Sequence, residues 1–63
     1  MHGNFKIKAI RTIKGCYIKD KVYEFINGNA KLENDIDLIG CQDFAEFQEE
    51  YWGAEEDFVE VAE

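Results

Sequence analysis

The stretch Val22-Tyr23-Glu24-Phe25-Ile26-Asn27-Gly28-Asn29-Ala30-Lys31-Leu32-Glu33 decides the fold. Its first five residues are dense in β-branched and aromatic side chains, which suit the pleated, half-buried surface of a strand. Asn27-Gly28 follows. A type I′ turn needs positive φ at both central positions, and Asn and Gly tolerate that best. Residues 29–33 should therefore run back antiparallel to residues 22–26, and a central hairpin makes the sheet antiparallel.

Upstream, Phe5, Ile7 and Ala9 alternate with Lys6 and Lys8, the period of a half-buried strand. Ile10, Arg11, Thr12 and Ile13 carry it past a bend, and Lys14-Gly15 opens a loop that runs to Lys21. Downstream, Asn34-Asp35 signals a second turn, and Ile36-Asp37-Leu38-Ile39 a short third return. After Gly40 the period changes. Asp43-Phe44-Ala45-Glu46 fits a capping box, and Phe44, Phe47 and Tyr51 share one helical stripe. Gly53 is a good stop. One helix is thus expected from Asp43 to Tyr51 or Trp52, followed by a closing strand at Phe58-Val59-Glu60-Val61. The fold class predicted is α+β: a small SH3-like antiparallel β barrel or sheet of four or five strands, with one short helix before the last strand. Residues 1–63 form a single domain on this reading.

A chain of 63 residues buries only about 60% of the surface that it exposes when unfolded. The apolar fraction of 46% and aromatic fraction of 14% offset that disadvantage. Phe5, Tyr17, Tyr23, Phe25, Phe44, Phe47, Tyr51, Trp52 and Phe58 supply large apolar areas, and such richness in rings argues against disorder. A homodimer would enlarge the core, so monomer and homodimer are both compatible with the sequence. No apolar run reaches the roughly 20 residues of a membrane span, and Met1-His2-Gly3-Asn4 does not begin a signal peptide. Cys16 and Cys41 are too few for a secreted disulfide scaffold, which points to a reducing cytoplasm and two free thiols. With His2 they also fall short of a four-ligand zinc site. No metal or cofactor is expected, and His2 reads as a solvated or tag-derived residue.

Charge is unevenly distributed. Residues 1–31 hold all seven basic residues against Asp20 and Glu24, a net +5, while residues 32–63 hold twelve acids and no base, a net −12. One sign concentrated in one region makes a field that attracts the opposite sign.

Lys21-Val22-Tyr23-Glu24-Phe25, the Asn27-Gly28 hairpin, the acidic turn at Asp35-Asp37 and the terminal Phe58-Val59-Glu60-Val61 together resemble short hypothetical proteins of Firmicute phages and prophages. Those are similar to SH3-like barrels, and the resemblance covers most of the chain. It implies a phage accessory role and transfers no catalytic residue. Asp20 stands where that pattern often has Gly, and the helix here is longer and more acidic.

Catalytic motifs are missing. There is no G-x-S-x-G, P-loop or H-E-x-x-H, and a Cys nucleophile would need a better base than His2. Asp35 with Asp37, and Glu55-Glu56-Asp57, lack the spacing of a calcium loop, so they read as solvated charge. The chain is read as a non-enzyme.

Three surfaces are candidates for binding. The first is the acidic helix and tail: Asp43, Glu46, Glu49, Glu50, Glu55, Glu56 and Asp57, with Tyr51 and Trp52 as aromatic anchors. Residues three or four apart on a helix rise by roughly 4.5–6 Å, comparable with phosphates spaced about 3.4 Å along a DNA strand. In size and charge such a chain resembles phage-encoded acidic inhibitors, anti-CRISPR proteins among them. The expected partner is a basic nucleic-acid-binding protein of the host or its defence system, blocked by nucleic-acid mimicry. The second candidate is an aromatic interaction groove made by Tyr17, Tyr23, Phe25 and Trp52. The third is a lysine face of Lys6, Lys8, Lys14, Lys19, Lys21 and Lys31, interleaved with Tyr17 and Tyr23, that would bind nucleic acid directly. The overall charge of −7 opposes that third reading.

Overall fold

The computed structural model describes residues 3–61; the reading of His2 lies outside them. Strand β1 (Phe5–Ala9) forms where the alternation begins, with Ile7 and Ala9 fully buried. It is the middle strand of an antiparallel sheet ordered β2-β1-β5, between β2 (Val22–Phe25) and β5 (Phe58–Val61). Ile7 lies opposite both Tyr23 and Glu60, which sets the register on either side. Strands β3 (Ala30–Lys31) and β4 (Asp37–Leu38) form a separate two-stranded ribbon. Between these two lies a single 3₁₀ turn at Glu33–Asp35, where Asn34 and Asp35 take positive φ, as Asn and Asp do best after Gly. The architecture is α+β with five antiparallel strands, and no closed sheet is present among the described residues.

The Asn27-Gly28 turn forms as its sequence dictates, but residues 29–33 do not run back along β2 as expected: only Ile26 and Asn29 bridge, and β3 pairs with β4 instead. Asn27 has φ 54° and Gly28 φ 85°, and Ile26 and Asn29 exchange backbone hydrogen bonds of 2.8 and 3.1 Å. Its tip is clamped on two sides. The Gly28 amide donates to the Gly3 carbonyl at 2.9 Å, and the Cys41 amide donates to the Gly28 carbonyl at 3.0 Å. The approach to Gly3 is so close that a Cβ there would lie 2.6 Å from the Gly28 nitrogen.

Two helices stand where one was expected. Helix α1 (Phe44–Glu50) starts at the predicted cap, with the Asp43 carboxylate accepting from the Glu46 amide at 2.8 Å. The reciprocal arm is shifted by one residue, because the Glu46 carboxylate accepts from Gln42 rather than from Asp43, at 2.6 Å. Tyr51 leaves helical geometry, Gly53 takes φ 85°, and a second turn, α2 (Ala54–Asp57), follows before β5. The segment 10–13 does not continue β1. It bends away, and Ile13 pairs with Tyr17 across a tight turn.

The core is largely aromatic. Phe47 of α1, 1% exposed, meets Phe25, Phe44, Tyr51 and Phe58 at ring-centroid separations of 5.4 to 6.0 Å. Phe5 stacks on Phe25 at 4.3 Å. Contacts of this kind add about 0.5–1.5 kcal/mol each beyond the buried area. Cys41 is fully buried beside them, and both cysteines are free thiols.

The clamp on the hairpin gives a controlled test. Gly3→Ala and Gly40→Ala both place a side chain at positive φ, but nothing lies within 4 Å of the Cβ position at Gly40. Gly40→Ala should lose only about 1 kcal/mol, the conformational term. Gly3→Ala should lose clearly more in a denaturant titration, because backbone must move. Equal losses would show that the clamp carries no stability.

Candidate functional site

Helix α1 turns its Phe44/Phe47/Tyr51 stripe inward, so its other positions meet water. The next residues fix an in–out–in pattern. The Tyr51 hydroxyl is held between the Ile39 amide, at 2.8 Å, and the Ile39 carbonyl, at 3.1 Å. Ala54 is 2% exposed, and its amide donates to the Tyr51 carbonyl. Trp52, pinned between two anchored neighbours, has its indole wholly in solvent at 104% relative exposure. A single exposed apolar residue is ordinary. A fully exposed tryptophan among carboxylates is not.

Glu49, Glu50, Tyr51, Trp52, Glu55 and Glu56 line one open hollow of about 430 Å³ between α1 and α2. The structure therefore brings together six of the nine residues picked from the sequence. Asp43 and Glu46 lie along the other side of α1, around a second shallow depression that also touches Glu49. Both already act within the fold, Asp43 as the helix cap and Glu46 as the acceptor for Gln42.

Asp57 leaves the surface set. It is 7% exposed, accepts from the Tyr17 hydroxyl and lies 3.4 Å from the Arg11 guanidinium. Burial and the neighbouring Asp57 carboxylate push the Tyr17 hydroxyl up to about 12, so Tyr17 stays protonated and donates. Ile10 reinforces the joint by donating its amide to the Asp57 carbonyl at 2.8 Å.

The competing surfaces fare differently. Phe25 is fully buried and Tyr23 is 4% exposed, so neither lines an open groove with Trp52. The Tyr23 hydroxyl is also occupied: it accepts from the Ile18 amide and donates to Glu33. On the lysine face, Lys21 pairs with Glu33 at 2.5 Å, and Lys31 lies 3.8 and 3.7 Å from Asp35 and Asp37. Those hydrogen bonds from Lys21 and Tyr23 hold the Glu33 carboxyl below its usual range. Lys21 and Lys31 are thus neutralised locally; Lys6 and Lys8 belong to β1, and Lys14 and Lys19 to the 10–21 loop.

No ion pair among the described residues reaches Glu49, Glu50, Glu55 or Glu56. Glu49 and Glu50 also occupy the last turn of α1, which carries no base, and the carbonyl end of a helix disfavours negative charge. At Glu49 and Glu50 the surface is therefore acidic against the local helix dipole. No protein-family model, curated protein or solved structure matches this chain.

Cys41 reports on this field from inside the core. Burial first, and then the carboxylates of Glu46, Glu50 and Asp43, push its thiol up. In a Cys16→Ser background, Glu50→Gln should lower the Cys41 pKa while leaving it above the ordinary thiol value. The Cβ chemical shift of Cys41 followed against pH measures this. An unchanged titration would mean that the acidic face exerts no field at that depth.

Proposed function

We propose that this chain is a phage or prophage accessory protein of the host cytoplasm that binds and blocks a basic, nucleic-acid-handling host or defence protein. On the same reading its scaffold is an opened relative of the SH3-like barrel, and its action resembles that of anti-CRISPR inhibitors. One observation carries the proposal: a fully solvent-exposed Trp52 surrounded by Glu49, Glu50, Glu55 and Glu56, none of them paired within the described residues. Tryptophan at the centre of a patch is the commonest anchor of a protein interface. Unpaired carboxylates around it attract a cationic surface, speed encounter and reject polyanions. Arg or Lys from the partner gains further by packing over the indole face.

The acids of α1 and α2 stand in for phosphates on this reading. They are presented on short, anchored turns, so little conformational freedom is lost on docking. Glu49 and Glu50, placed at the carbonyl end of α1, lower the stability of the free protein, and such local conflicts gather at functional surfaces.

Glu50→Lys with Glu55→Lys is the direct test, because neither residue packs in the core. Immobilised protein, challenged with nuclease-treated host lysate, should capture a basic protein that added duplex DNA or rising salt releases. Screening acts over a Debye length of about 8–10 Å at ordinary ionic strength, so release should be steep. The double reversal should abolish capture with an unchanged circular dichroism spectrum, whereas Lys8→Glu with Lys14→Glu should leave it intact. Glu49→Gln should also raise the unfolding free energy, by up to about 1 kcal/mol. Capture that survives the double reversal and fails only in Trp52→Ala would favour an aromatic interaction module and overturn phosphate mimicry. Recovery of nucleic acid itself would favour the lysine face.

A further inference from the structure

Behind Trp52 lies a third, smaller concavity. It is an apolar cleft of about 120 Å³ whose walls are Leu32, Leu38, Phe47, Tyr51, Trp52 and Phe58. Apolar cavities of about 150 Å³ accept groups the size of benzene, so this cleft suits a single aliphatic or aromatic side chain. Tyr51, Trp52 and Gly53 line both the cleft and the acidic hollow. The two depressions are therefore adjacent halves of one surface that meet at the exposed indole.

We infer that this composite surface docks a partner segment in which one large apolar residue is flanked by Arg or Lys: the apolar side chain enters the cleft and the cations lie against Glu49, Glu50, Glu55 and Glu56. The inference rests on the reading of the acidic hollow as a protein-binding surface and adds the chemistry of what binds. Charge complementarity selects this occupant. A second copy of the chain would bring the same four glutamates against these four, and an uncharged apolar segment would leave the carboxylates unanswered. Leu38, Phe47 and Phe58 are held by the core, so the cleft needs no rearrangement of its floor to receive a side chain.

Two capped peptides test it, one with arginines flanking a central leucine and one with serine in place of leucine. Titration at low salt is followed by backbone amide shifts and Trp52 fluorescence. Full burial of a leucine corresponds to about tenfold or more in affinity, so the leucine peptide should bind at least about tenfold tighter and shift the amides of Leu38, Gly53 and Ala54. Glu55→Gln with Glu56→Gln should weaken both peptides alike. Trp52→Ala, a change at a wholly exposed side chain, should erase the leucine preference and keep most of the salt-sensitive binding. Equal affinity of the two peptides sinks the cleft and leaves the acidic reading standing. Binding by neither sinks both. Self-association in sedimentation, with Trp52 fluorescence shifted to the blue before any peptide is added, would assign the cleft to a second copy and overturn the inference.

Discussion

Everything presented at the surface depends on where Phe47 goes. It is the only α1 residue that is fully buried, and it meets rings from β2, β5, its own helix and the segment after it. Truncating such a ring to alanine typically costs about 3–5 kcal/mol, a large share of the stability available to a domain this small. With Phe47 seated, the rotation of α1 is fixed. Glu49 and Glu50 must then face water, and the chain leaves the helix toward Ile39, where the Tyr51 hydroxyl is caught. The display of acid is a consequence of aromatic packing.

Asp57 extends the same frame through Tyr17, whose ring packs on Phe58. Its carboxylate gathers Tyr17 and Arg11, and its carbonyl receives the Ile10 amide. The loop that leaves β1 is thereby tied to the turn that enters β5. A buried carboxylate is costly unless its partners are supplied, and here both come from the basic half of the chain. Here, as between Glu33 and the buried Tyr23, the two electrostatic halves are joined by a side-chain hydrogen bond.

The central turn, the cap of α1 and β5 were legible because each is signalled within a few residues: Asn27-Gly28 demands positive φ, Asp43 precedes an apolar helical stripe, and Phe58 to Val61 alternate. Helix α2 was not legible. Its four residues make barely one turn, too short for any periodicity, and Glu55-Glu56-Asp57 read as uniform solvated charge. Asp57 could not be separated from its neighbours for a related reason. Its partners lie 40 and 46 positions away, and only the fold reveals them. The density of β-formers in residues 22–26 marked a strand, but it did not say that Tyr23 and Phe25 share the face turned to the core. Glu46 was read both as the returning arm of the capping box and as part of the acidic surface, and the structure keeps the arm but moves its partner from Asp43 to Gln42. The core of the acidic hollow was legible from charge alone, whereas its alignment with an apolar cleft through Trp52 required the structure.

Segregation of charge then has a structural logic. Arg11, Lys21 and Lys31 each find a carboxylate on or beside the β elements: Asp57, Glu33, and Asp35 with Asp37. All three come from the first half of the chain, Arg11 and Lys21 from the loop between β1 and β2 and Lys31 from β3. Pairing within the fold stabilises the β scaffold, while the four glutamates of the hollow stand together without an ion pair among the described residues. Repulsion there lowers the stability of the free protein, and a cationic partner that docks relieves it. Binding strength and intrinsic stability are thus set in opposition at Glu49 and Glu50, where the α1 dipole adds to the repulsion, and substitutions that neutralise these two move the two quantities in opposite directions.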